Sequence, residues 1–64
     1  MTKRKDVIAA IRAHAKASGL EFTSLEDANH TRVWVGSNYT TIPRHKEMPD
    51  AFARKILKQI GVES

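Results

Sequence analysis

Apolar positions recur along this chain with two different periods, and the change of period divides it into elements. Val7, Ile8, Ile11 and Ala15 fall at helical spacing and make one apolar stripe. Alanines at 9, 10, 13, 15 and 17 are strong helix formers, Thr2 offers an N-cap, and Ser18-Gly19 supplies a stop. The spacing predicts a helix over 3–18. From Leu20 the period falls to two. Leu20 to Leu25 alternates with Leu20 and Phe22 on one side, which predicts a short strand, and Glu26-Asp27-Ala28-Asn29 reads as a polar turn. His30 to Pro43 then predicts a β-hairpin. Thr31, Val33, Val35 and, on the second arm, Tyr39 and Thr41 sit at alternating positions. Gly36-Ser37-Asn38 tolerates the positive φ of a tight loop, and Pro43 cannot donate to a ladder and so closes the second arm. After a charged loop over 44–48 the helical period returns. Phe52, Ile56, Leu57 and Ile60 define an apolar face with Arg54, Lys55 and Lys58 opposite, Pro49 at its first position and Gly61 at its end.

The order is α-β-β-β-α, an α+β domain. Sequential strands at short spacing predict an antiparallel three-stranded meander with both helices on one face. The expected core is Val7, Ile8, Ile11, Phe52, Ile56 and Ile60. Trp34 alternates with Val33 and Val35, so it falls with Arg32 on the open face of the sheet if the valines face the helices, and in the core if the register is reversed.

Length and composition narrow the class. Sixty-four residues fit a single domain over 1–64, and a chain of this size buries only about 60% of its unfolded surface. There is no cysteine, so neither a disulfide nor a thiolate metal site can staple it. His14, His30 and His45 lack ligand spacing, and no metal or cofactor is expected. No apolar run approaches the roughly 20 residues of a membrane span, and the expectation is a soluble, cytoplasmic protein. Eleven basic against seven acidic residues give a net charge of +4 and a pI near 9.9. That balance favours an anionic partner, nucleic acid first.

Four stretches then acquire a meaning together: KRKDVIAAIRA, a histidine entering a hairpin, IPRHKEMP, and FARKILKQIG. Their order and content resemble the HicA-type toxins, small mRNA interferases with a double-stranded-RNA-binding-domain-like (dsRBD-like) fold. The most specific parts are Ile42-Pro43-Arg44-His45 and 54–61. By position the resemblance implies that His30 is the catalytic histidine and that His45 is the histidine after the third strand. It also implies an RNA substrate, mRNA in the family, and a cognate HicB-like antitoxin. The turn before His30 reads Ala28-Asn29 where the family carries glycines, and Glu26 and Asp27 stand just upstream. The rival reading is therefore a non-cleaving module of the same fold, binding RNA or a protein.

The residue chemistry is compatible with RNA cleavage through the 2′ hydroxyl. Such a reaction needs proton transfer near neutral pH, which histidine supplies, and cations for the phosphate. His30, Arg32, Arg44 and His45 form the candidate constellation. Lys46, the helix-two cations Arg54, Lys55 and Lys58, and the N-terminal Lys3, Arg4 and Lys5 are candidate phosphate contacts, though such charges are most often a solvated face. A histidine at a hairpin mouth is usually an ordinary surface residue, and His14, among alanines, reads as filler. Trp34 beside Arg32 could stack a base or anchor a protein.

Overall fold

The computed structural model describes residues 1–62. In chain order the elements are β1 (Thr2–Lys3), α1 (Arg4–Ser18), β2 (Phe22–Glu26), β3 (His30–Val35), β4 (Asn38–Pro43), β5 (Glu47–Met48) and α2 (Asp50–Gln59). Strands β2, β3 and β4 form an antiparallel meander with β3 in the centre. The expected α-β-β-β-α order and three-stranded sheet are both present, in a dsRBD-like arrangement. The β3–β4 loop has Gly36 at its first position with φ of 59°, as a type II′ turn takes. Asn38 is already the first residue of β4, opposite Val35.

Alternation along β3 and β4 decides which sheet face is buried. Val33 and Val35 of β3 and Ile42 of β4 turn inward and are fully buried. They meet Val7, Ile11 and Ala15 of α1, and Ala53, Ile56 and Ile60 at α2. Both helices therefore cover the same face, and the other is left to water.

The expected core, first strand and loop each need correction. Phe52 is 41% exposed and lies outside the core. The buried line of α2 runs Ala53, Ile56, Ile60, and at about 100° of turn per residue Phe52 falls about 70° to one side of its centre. Ile8 and Leu57 pack only partly against the core. The first strand begins at Phe22, leaving Leu20 42% exposed. Finally, the loop over 44–48 contains β5, which pairs with β1 through Thr2 opposite Met48 and Lys3 opposite Glu47. Two-residue strands carry no periodicity, so no hydrophobic pattern marks this ribbon. It sinks Met48 to 2% exposure.

The ribbon also reassigns the helix caps. Lys3 is the N-cap of α1 without a side-chain cap bond. Thr2 instead donates its hydroxyl to Asp50 Oδ1 at 2.7 Å, at the start of α2. That bond, then the N-terminal ammonium 3.3 Å away, holds the Asp50 carboxyl below its ordinary value of 3.8. Pro49 occupies the N-cap of α2. At the far end Gly61 has φ of 98°, and a Cβ there would lie 2.8 Å from Asn38 Nδ2. Only glycine lets Asn38 reach Ile60 O at 3.1 Å and tie α2 to β4.

Candidate functional site

Residues of β3 that do not face the helices face water: His30, Arg32 and Trp34 leave the sheet on the open side. His30 is the first residue of β3 and sits opposite Pro43, the last of β4. The preceding turn holds it from the other direction. Asp27 N–H donates to His30 C=O at 2.8 Å, closing a two-residue connection through Ala28-Asn29. Among the described residues no non-glycine has positive φ. The turn therefore closes with Ala28-Asn29 in ordinary backbone, and needs no glycine for its geometry.

His30 shares one surface hollow with Ala28, Asn29, Pro43, Arg44 and His45. A second hollow is lined by Lys3, Arg4, Lys5, Arg44 and Lys46. Arg44 borders both, so the histidine pair opens directly onto five cations. The sequence placed these cations at opposite ends of the chain. The β1–β5 ribbon is what brings them together, with Arg4 N–H donating to Lys46 O at 2.9 Å.

Glu26 and Asp27, which in the sequence stand against an RNA site, are absorbed by arginines. Arg44 Nη1 donates to Glu26 Oε1 at 2.7 Å and to Asp27 O at 3.1 Å. Arg32 Nη2 lies 3.1 Å from Asp27 Oδ2. Arg4 Nη2 lies 3.7 Å from Glu26 Oε2. Three guanidiniums against two carboxylates leave this cluster with one net positive charge. Arg4 is also a strut: its Nη2 donates to Thr31 Oγ1 and its Nε to Pro43 O at 3.2 Å. Thr31, 2% exposed, donates in turn to Glu26 Oε1 at 3.1 Å. The start of α1, the end of β2, the start of β3 and the end of β4 are thus pinned together at the rim that carries His30.

The sequence candidates divide accordingly. His30, Arg44, His45, Lys46, Lys3, Arg4 and Lys5 line the two joined hollows. Arg54, Lys55 and Lys58 are exposed on α2 and line neither. Arg32 and Trp34 lie on the adjoining open sheet face. Half-buried His14 is apart from the other histidines, beside Gly61. Two participants escaped sequence reasoning. Glu26 enters the sequence pattern only as part of a polar turn, although its place just before that turn, opposite Thr31, follows from the strand pairing. Tyr39 was read only as strand, although a two-residue loop sets it opposite Trp34.

No family model and no solved structure matches the chain. Among curated proteins, "Probable mRNA interferase HicA 2" of Photorhabdus laumondii subsp. laumondii is 41% identical over 54 residues, spanning 81% of this chain and 90% of the relative. No helix among the described residues is long and apolar enough to cross a membrane. A relative 41% identical that spans most of both chains shows the family, and the chain belongs to the HicA family.

Proposed function

We propose that this protein is an mRNA interferase, an endoribonuclease that cleaves RNA without a metal ion and uses His30 as its one catalytic histidine. The observation that carries this reading is the shared hollow. His30, held at the end of a paired strand, faces the same space as Arg44 and His45, and that space opens onto Lys3, Arg4, Lys5 and Lys46. The relative bears the name of an mRNA interferase, which supports the same substrate for this chain.

Each residue has a task in the proposed reaction. His30 takes the proton from a ribose 2′ hydroxyl, and the 2′ oxygen attacks the adjacent phosphorus. The bond to the 5′ oxygen breaks, that oxygen leaves with a proton from water, and the hydroxide left behind takes the proton His30 gained. The products are a 2′,3′-cyclic phosphate and a 5′ hydroxyl. Charge gathers on the non-bridging oxygens at the five-coordinate stage, where Arg44 and His45 hydrogen bond to them. Lys3, Arg4, Lys5 and Lys46 hold the flanking phosphates, and Arg54, Lys55 and Lys58 add a weaker long-range attraction. The reaction belongs in the cytoplasm, where mRNA is met. A HicB-like antitoxin acts as inhibitor by covering the rim that carries His30.

The test is incubation of the purified chain with a long RNA in EDTA, beside His30→Ala. Fragments from the first and none from the second support the reading. RNA that binds and is never cut moves the assignment to a non-cleaving module.

A further inference from the structure

The two hollows use the rim of the sheet, but the open face behind His30 is also furnished. Across it the strand register sets up three rows. His30 stands opposite Pro43; Leu25, Arg32 and Thr41 form the next row; Thr23, Trp34 and Tyr39 form the third. Successive rows lie about 6.8 Å apart, two residues of strand rise. Trp34 and Tyr39 rest against each other with ring centroids 5.3 Å apart and planes at 44°. Tyr39 is 46% exposed, and Trp34 keeps part of its surface open. Two aromatic side chains are thus on the face that contributes nothing to the core.

We propose, resting on the reading of His30 as an RNA-cleaving residue, that Trp34 and Tyr39 form a stacking platform for a base of single-stranded RNA, positioned from the phosphate at His30 by Arg32. Three features point to RNA on this face. The face is continuous with the His30 hollow, along one strand. Arg32 stands between histidine and aromatics, and its partner Asp27 is an exposed pair that a phosphate can replace, both side chains being 48% exposed. The aromatics are flanked by Thr23, Thr41 and Arg32, and although Leu25, 54% exposed, stands on the edge strand beside Arg32, these polar side chains interrupt the apolar surface of the face. Aromatic faces accept any base, and unpaired bases are what they can reach. The substrate class that follows is an unpaired stretch of RNA, with a base next to the cut lying on the Trp34–Tyr39 pair. A duplex, whose bases are stacked inside, cannot use the platform.

Trp34 is the sole tryptophan, so its emission reports on this face alone. The experiment is done with full-length His30→Ala, which leaves the probe uncut. The probes are a short single-stranded oligoribonucleotide of mixed sequence, the same backbone without bases, and the same sequence as a duplex. The expected result is quenching of Trp34 by the single strand and by neither of the others. Adding Tyr39→Ala should weaken single-strand binding about 5- to 100-fold, the range that loss of one stacked base gives. Trp34→Phe should retain most of the affinity that Trp34→Ala loses. Single-strand binding with unchanged Trp34 emission and unchanged affinity in Tyr39→Ala overturns the platform, as does quenching by a partner protein alone. The outcomes separate from those of the nuclease reading. A wild-type chain that cuts RNA without quenching retains the nuclease and loses the platform, and one that quenches without cutting does the reverse.

Discussion

Phe52 and Ile56 stand four residues apart on α2, and replacing each by alanine separates the observed core from the one the sequence suggests. Ile56 is 2% exposed and belongs to the buried cluster. Ile56→Ala removes its methyl groups from a closed space, so the transfer loss is joined by a cavity, about 2–5 kcal/mol in all. Phe52 is 41% exposed. Burying a whole large apolar side chain contributes about 1.5–3 kcal/mol, and only part of that is realised here. Phe52→Ala opens no closed cavity, and alanine returns about 0.5 kcal/mol of helix propensity. The net loss is about 1 kcal/mol or less. For a domain of this size each kcal/mol moves Tm by about 4–8 °C, so Ile56→Ala, which loses at least about 1 kcal/mol more, should melt at least about 4 °C below Phe52→Ala. Thermal unfolding followed by circular dichroism reads this directly. Equal melting temperatures, or the reverse order, would show that the helix face is assigned wrongly.

Three further outcomes follow from the contacts. Glu26→Gln removes the charge that faces Arg4 and Arg44; these exposed pairs are worth about 0.2–1 kcal/mol each, so chemical denaturation should register a loss of about 1 kcal/mol, and no loss would mean the cluster does not hold the rim. The Asp50 carboxyl is held below 3.8 by Thr2 and the N-terminal ammonium. Its stabilising effect is present above that value and disappears as pH falls through the lower folded value, so stability plotted against acid pH should be flatter in Asp50→Asn; an identical slope would remove Asp50 from the acid limb. Neutralising Lys5 and Lys46 should lower the slope of log affinity against log salt by about 0.7 per lost phosphate contact with single-stranded RNA, whereas Lys55 and Lys58 should change it less; the opposite ranking would put the phosphate track on α2.

Periodicity carried the fold. The alternation from Thr31 to Val35, the stripe from Val7 to Ala15 and the loop at Gly36 each had one local solution, and the meander with helices on one face followed from their order. The failures came where no period exists. β1 and β5 are two residues each, and their pairing is decided by chain ends meeting in space. That pairing buries Met48, diverts Thr2 from capping to Asp50, and gathers Lys3, Arg4, Lys5 and Lys46 around Arg44. Phe52 was misread for a related reason: a stripe containing both Phe52 and Ala53 leaves a rotation undecided, and bulk suggested the wrong one. At the site, His30 was legible because a hairpin mouth fixes its register. The neutralisation of Glu26 and Asp27 was not, since it depends on arginines from three separate elements.

The central claim is that His30 moves a proton. Its most direct measurement is single-turnover cleavage of one RNA by wild type, His30→Ala and His30→Gln, with RNA affinity measured beside it. A transition-state role lowers the rate far more than the binding. Glutamine keeps size and hydrogen bonding yet cannot shuttle a proton. The account predicts that wild type yields 2′,3′-cyclic phosphate ends in EDTA, and that both variants bind RNA about as tightly and release none. Cleavage by His30→Gln at the wild-type rate would contradict it.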